Sequence, residues 1–441
     1  MAETAVMNTL KVTYFEDMKA LADRNGFPDW LLAMRHQARE NFSNQEFPHT
    51  RQEEWRQTNI APINNTSYHS LTAPPGIIPA KKSVEAVKYG NWTELVFIDG
   101  YFTPELSQVQ KLPKGLHASS LHDAIHNSET VRIVEQHLNT VLKDRNAYTT
   151  LNTAFLQDGG FVHLEKNTVL DNPLHIIFAT SHRQDDTASY IRNLFVLERC
   201  SQASIIVSYV NLADELHYLN NVVDEIVLGE NAQLKWYKIV EEGPTGSHLA
   251  TTEVQQARDS HFDSYTMSLE GKTIRNQLCV SLSGEGAICN LSGLYLNDSH
   301  RLIDNAIEIT HAQPHCNSRI MYKGVLDGDS KAVFTGKVHV HQAAQKTDSD
   351  QLSNNLLLSD NATIHTRPQL EIYADDVKCT HGATIGSPPE SIIFYFRSRG
   401  IDEPTARAML TYGFAEEVIT DLDIPVLSER LGRYVYDKFS P

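Results

Sequence analysis

The sequence predicts a mainly β chain: a repetitive β middle, flanked by a helical region at each end. Three observations carry this. Beyond about residue 150, short runs of alternating apolar and polar residues follow one another. Turn-like punctuation recurs among them at intervals of roughly 30 residues or multiples of it. Helical periodicity is confined to the two ends of the chain.

Taken in order, residues 1–10 read as a frayed tail. From Tyr14 to Phe42 the apolar residues keep helical spacing: Phe15, Met18, Leu21 and Ala22, then Trp30, Leu31, Met34 and Ala38. Residues 25–28, Asn-Gly-Phe-Pro, divide the pattern into two helices. Residues 47–59 form a short polar segment with one aromatic anchor, Trp55. Residues 73–76 read as a linker, since neither Pro74 nor Pro75 can donate a ladder hydrogen bond. In the middle, residues 203–210, 233–240 and 337–341 have the Val, Ile, Tyr and Thr texture of strands. The turns before them share a form: a polar or glycine-containing turn, an alanine (Ala203, Ala232, Ala287, Ala332, Ala362), then an apolar β-former. Stacked coils of a β-solenoid would have this form, each burying the apolar face of its neighbour. A sandwich has the same alternation and the same turn residues, and the pattern alone leaves both open. Near the end, Pro388–Glu390 opens a helix that Gly400 closes. Asp402 and Pro404 open a second, with the stripe Ala406, Leu410, Phe414, Val418, and a third runs from about Pro425 to Lys438. Helices at both termini are expected to cover the exposed end strands of such an array. The expected division is an N-terminal helical region (1–85), a β core (86–386) with a mixed lead-in to about 150, and a C-terminal helical region (387–441).

Composition excludes several classes. With 41% hydrophobic and 21% charged residues the chain is globular, and its net charge of −17 disfavours phosphate backbones and anionic membranes as partners. No apolar run approaches the ~18 residues of a membrane span. The first eight residues lack the basic segment of a signal peptide, so a cytoplasmic location is expected. Five widely spaced cysteines without a Cys-x-x-Cys argue against both a disulfide framework and a self-contained thiolate cage. Gly271-Lys272-Thr273 resembles the tail of a phosphate-binding loop, but Thr266 stands where its first glycine belongs. Gly284 and Gly286 do not extend to a dinucleotide fingerprint. His311, His315, Cys316, His339 and His341 read first as ordinary strand or surface residues.

Cys379 and His381 stand two residues apart, so in a strand they share a face, with Thr380 on the other. Thiolate and imidazole are good iron or zinc ligands, but two are too few for a closed site. Remaining donors would have to come from distant chain or from another molecule.

Several blocks carry a family resemblance: residues 48–58 (PHTRQEEWRQT), 152–160 (NTAFLQDGG), 324–340, 345–359, 367–386 (RPQLEIYADDVKCTHGATIG) and 394–401. Through them the chain resembles the SufB/SufD family, scaffold components of the SUF machinery for iron–sulfur cluster assembly. SufB-like chains carry cysteine where this one has Ser353 and glutamate where it has Gly382, so the resemblance is to the SufD-like side. It implies a right-handed parallel β-helix, pairing with a SufB-like chain, and a SufC-like ATPase docked on the C-terminal helical region. It also implies that His381 supplies one ligand to a transient iron–sulfur cluster at the SufB–SufD interface, the cysteine and glutamate coming from SufB. Cys379 would be a second ligand or a support for the interface. ATP hydrolysis would belong to the SufC-like partner, leaving this chain a non-catalytic scaffold. The resemblance further raises a flavin on the assembled complex and a homodimeric form, neither of which the residues themselves specify. The rival from another class is a carbohydrate-active β-helix lyase or hydrolase. It would need carboxylates clustered on one sheet face, whereas Asp327, Asp329 and Asp348 are scattered.

Overall fold

The computed structural model describes residues 2–22, 26–71, 73–76, 78–109, 112–143, 145–181, 184–213 and 216–439. Of the break at residues 25–28, Asn25 lies outside them.

Successive strands of the middle alternate between two ten-stranded sheets, and each pairs in parallel with the strand two places along the chain. That is a β-solenoid and not a sandwich, whose neighbours would be antiparallel. One register position can be followed from coil to coil: Gln202 beside Gln233, then His261, Ile288, Asn317, Asp348 and Lys378. A coil therefore takes roughly 30 residues, the interval at which the punctuation repeats, and the array makes about eight turns.

The turns explain the punctuation. Cys200, Asn231, Asp259, Gly286, His315 and Lys346 hold the left-handed region at one point of successive coils, with φ between 53° and 73°. Each places its N–H against the turn of the next coil; that of Cys200 donates to the Glu230 carbonyl at 2.9 Å, and that of His315 to Gln345 at 2.9 Å. The residue after each of these turns is small or short and buried (Ser201, Ala232, Ser260, Ala287, Cys316, Thr347), and the punctuating alanines Ala203, Ala232, Ala287, Ala332 and Ala362 all enter one continuous core that runs through the coils. A larger side chain would overfill this inward bend.

The two ends of the array differ. At the N-terminal end each sheet closes on a short antiparallel partner: Tyr101–Phe102 on Thr93–Ile98, and Leu116–Ser120 on Gly160–Leu164. Asp158, in the 152–160 block, ties this end together. Its carboxylate accepts the N–H groups of Phe102, His122 and Gly159 at 3.3, 3.1 and 2.8 Å. At the C-terminal end the sheets finish on Thr363–Ile372 and Lys378–Gly386, full-length strands paired on one side only.

The helices lie elsewhere than expected. Those at Ala2–Ala22, Asp29–Asn44 and Ala147–Ala154 set Tyr14, Met18, Phe42 and Leu151 against Tyr190, Leu219 and Leu249 on the outer face of one sheet. The chain is thus helical from Ala2, not a frayed tail. At the other terminus, helices Glu403–Thr420 and Pro425–Phe439 set Val418, Ile419, Leu427 and Leu431 against Tyr237, Ile239, Met267 and Leu294 on the outer face of the second sheet. Both helical layers cover flanks, because the outward faces of the middle strands are themselves apolar and offer more area to bury than a strand edge does. The predicted stripe also shifts. Ala406 and Val418 are buried, but Ala408, Thr411 and Ala415 complete the contact while Leu410 and Phe414 are half-buried. A strict step of four drifts off the face of a helix with 3.6 residues per turn. No helix among the described residues is long and apolar enough to cross a membrane.

Candidate functional site: the open end of the solenoid

The last strand, Lys378–Gly386, pairs with Asp348–Leu357, placing Cys379 beside Ser349, His381 beside Gln351 and Ala383 beside Ser353. Ser349, Gln351 and Ser353 are buried and share the strand parity of the core. Cys379, His381 and Ala383 therefore have inward parity, but no further coil covers them. His381 is exposed at this mouth, and its ring makes no side-chain hydrogen bond or ion pair among the described residues.

Cys379 is half-buried against the main core. Burial pushes its thiol above the ordinary value and the Asp348 carboxylate adds to this, while the Ser349 backbone acts the other way. The free thiol therefore stays protonated at neutral pH, and a metal would have to displace that proton. Thr380 faces outward and bonds Asp350. A side chain added at Gly382 would come within 3.1 Å of the Leu352 tip.

Beneath the mouth the interior is polar. Ser318 donates to Ser349 at 2.8 Å, and the buried His311 lies 2.9 Å from Ser318, so a hydrogen-bonded row ends beside Cys379. Burial holds His311 neutral, its pKa lowered to about 4. The Gln351 amide is buried, with neither its nitrogen nor its oxygen hydrogen-bonded among the described residues.

The other histidines and cysteines singled out in the sequence are not gathered here. His315 is a turn residue, and Cys316 is buried with its sulfur 3.3 Å from the Gly284 carbonyl. His339 pairs with Glu371 at 2.9 Å on the outer face of the other sheet, its ring 4.9 Å from that of His341. All five cysteines are free. No group of three or more His, Cys, Asp or Glu among the described residues is placed to hold a metal ion. Asp329 and Asp348 are engaged locally, with His300 at 3.6 Å and Arg319 at 2.8 Å, and Asp327 caps the Gly328 N–H.

The sequence marks Trp55 as the aromatic anchor of the 47–59 segment but not what it is anchored to. Trp55 is buried with the Arg275 guanidinium 3.9 Å from its ring, and Thr58 donates to Asp304, which also pairs with Arg275. Glu53 then reaches the last coil, bonding Arg367 at 2.6 Å.

Residues 178–414 match the family described as "SUF system FeS cluster assembly, SufBD core domain", and residues 8–176 match the "SufBD protein N-terminal region". Curated relatives include an "Iron-sulfur cluster assembly SufBD family protein" of Synechocystis, 32% identical over 95% of this chain and 94% of the relative. The "Iron-sulfur cluster assembly protein SufD" of Escherichia coli is 29% identical over 84% of each chain, and that of Bacillus subtilis 25% identical over 94% and 95%. With its coiled core, its helical flanks and both halves of the sequence matched, this chain belongs to the SufBD family of iron–sulfur cluster assembly proteins.

Proposed function

We propose that the chain is a non-catalytic scaffold subunit that pairs through its open end with a SufB-like chain and lends His381 to a cluster forming at the seam. The observation that carries this is the exposed, unengaged His381 on an unpaired edge strand. An edge of this length invites another chain, which would both pair the strand and bring further donors to the imidazole. Cys379, whose thiol is held protonated, serves as second ligand only if the metal displaces that proton. Imidazole and carboxylate hold iron less firmly than an all-thiolate cage, which suits a cluster that must be passed on.

The ATPase partner would dock on the C-terminal helices. Helix Glu390–Ser398 buries only Ile393 and leaves Phe394 and Tyr395 exposed, at 72% and 55%. Neighbouring exposed aromatics of this kind mark interaction surfaces. Hydrolysis in that partner would act on this chain through the helical layer.

Anaerobic reconstitution with iron and sulfide tests the reading. The chain alone should develop little visible absorbance, and the co-purified complex with SufB-like and SufC-like chains much more. Equal chromophore on the isolated chain would contradict the shared site. Polysaccharide cleavage by the isolated chain would favour the carbohydrate-active alternative.

A further inference from the structure

The 48–58 segment meets the solenoid at its open end, far along the chain from its own place in the sequence. Arg56 and Gln57 line an open cleft of about 340 Å³ together with Ile364, His365, Thr366 and Arg367 of one edge strand and Ile385 of the other. The segment is firmly seated. Trp55 and Thr58 are anchored at Arg275 and Asp304, and Glu53 is tied to Arg367. Two exposed side chains at the cleft are not engaged: the Arg56 guanidinium of this segment has no ion pair, and the His365 ring of the strand has no hydrogen bond, among the described residues. Thr366, which lines the cleft, has a buried hydroxyl with no hydrogen-bond partner among the described residues.

We propose that this segment and the first residues of strand Thr363–Ile372 form a clamp for an extended, carboxylate-bearing segment of the chain that docks on the open end. This deepens the pairing reading above and rests on it. Three features select that occupant. The cleft lies along an unpaired strand edge, which favours extended backbone. Arg56 offers a guanidinium fork, matched in geometry to a carboxylate. The chain carries a net charge of −17, so an acidic segment is repelled over most of the surface, while Arg56 at this rim keeps a positive charge that no carboxylate of the described residues neutralises.

The test is association of the full-length chain with a co-expressed SufB-like partner, followed at two salt concentrations. Arg56→Glu should slow association roughly tenfold at low ionic strength, with a smaller difference at high salt, as for a rim charge that steers docking. Arg132→Glu makes the same charge change on an exposed helix outside the cleft and should associate as the wild type does. Unchanged association and salt dependence for Arg56→Glu, or an equal loss for Arg132→Glu, would overturn the clamp while leaving the pairing intact. A wild-type chain that binds no SufB-like partner would overturn the pairing and the clamp with it.

Discussion

The two ends of the solenoid solve the same problem in opposite ways. At the N-terminal end, short antiparallel strands, the Asp158 carboxylate and stacked aromatics close the core. Phe97 is fully buried there and stacks on Phe178 at 4.7 Å. At the C-terminal end, two full strands stop with one edge unpaired, and Ile372, Tyr373 and Ile385 remain exposed. An edge left this way is an aggregation liability unless another chain completes it. The contrast teaches that one end of the core is closed by its own chain, while the other keeps the free strand edges on which the proposed pairing rests.

Substitutions should separate the two. Phe97→Ala at the closed end should cost about 3–5 kcal/mol of unfolding free energy in denaturant titrations, through lost burial and a cavity. Asp158→Ala should cost about 1–3 kcal/mol, since it strands the buried Gly159 N–H and the part-buried N–H groups of Phe102 and His122. A cost below about 0.5 kcal/mol for either would mean that the closed end is not where the fold is secured.

His311 gives a pH test of the buried polar row. The unfolded imidazole takes up its proton near 6.5, whereas burial holds the folded one down to about 4. The stability it contributes is therefore complete above ~6.5 and lost as pH falls toward 4. Across that window the wild type should lose up to about 1.4 kcal/mol per pH unit more than His311→Gln. Parallel stability curves for the two proteins would show that the ring is not held neutral. The smallest effect belongs to the open end: Ile385→Ser should change the stability of the isolated chain by less than about 0.5 kcal/mol, yet weaken binding of a SufB-like partner.

Much of the fold could be read from residues. The turn-alanine punctuation marks the coil bends, because only a small side chain fits after a left-handed turn. The proline, Asp402 and Gly400 signals mark the last helices; Asp402 accepts the Thr405 N–H at 3.0 Å, and Gly400 has φ +86°. Solenoid and sandwich could not be told apart, since alternation reports burial and says nothing of strand direction. The helical layers were assigned to the wrong surface because local periodicity does not reveal which apolar face of the core lies bare. Of the site, the shared parity of Cys379 and His381 was legible from their spacing. Exposure of the ring was not, because it depends on where the stacking stops. The clamp was hidden for a related reason: Glu53 and Arg367 are neighbours only once the first helices have settled along the flank.

The central claim is that His381 completes a coordination sphere shared with another chain. The direct measurement is the iron and acid-labile sulfide bound by the co-purified SufB-like, SufC-like and His381→Ala complex after anaerobic reconstitution. The account predicts an intact complex with markedly less of both. A complex that loads clusters at the wild-type rate and amount would contradict it.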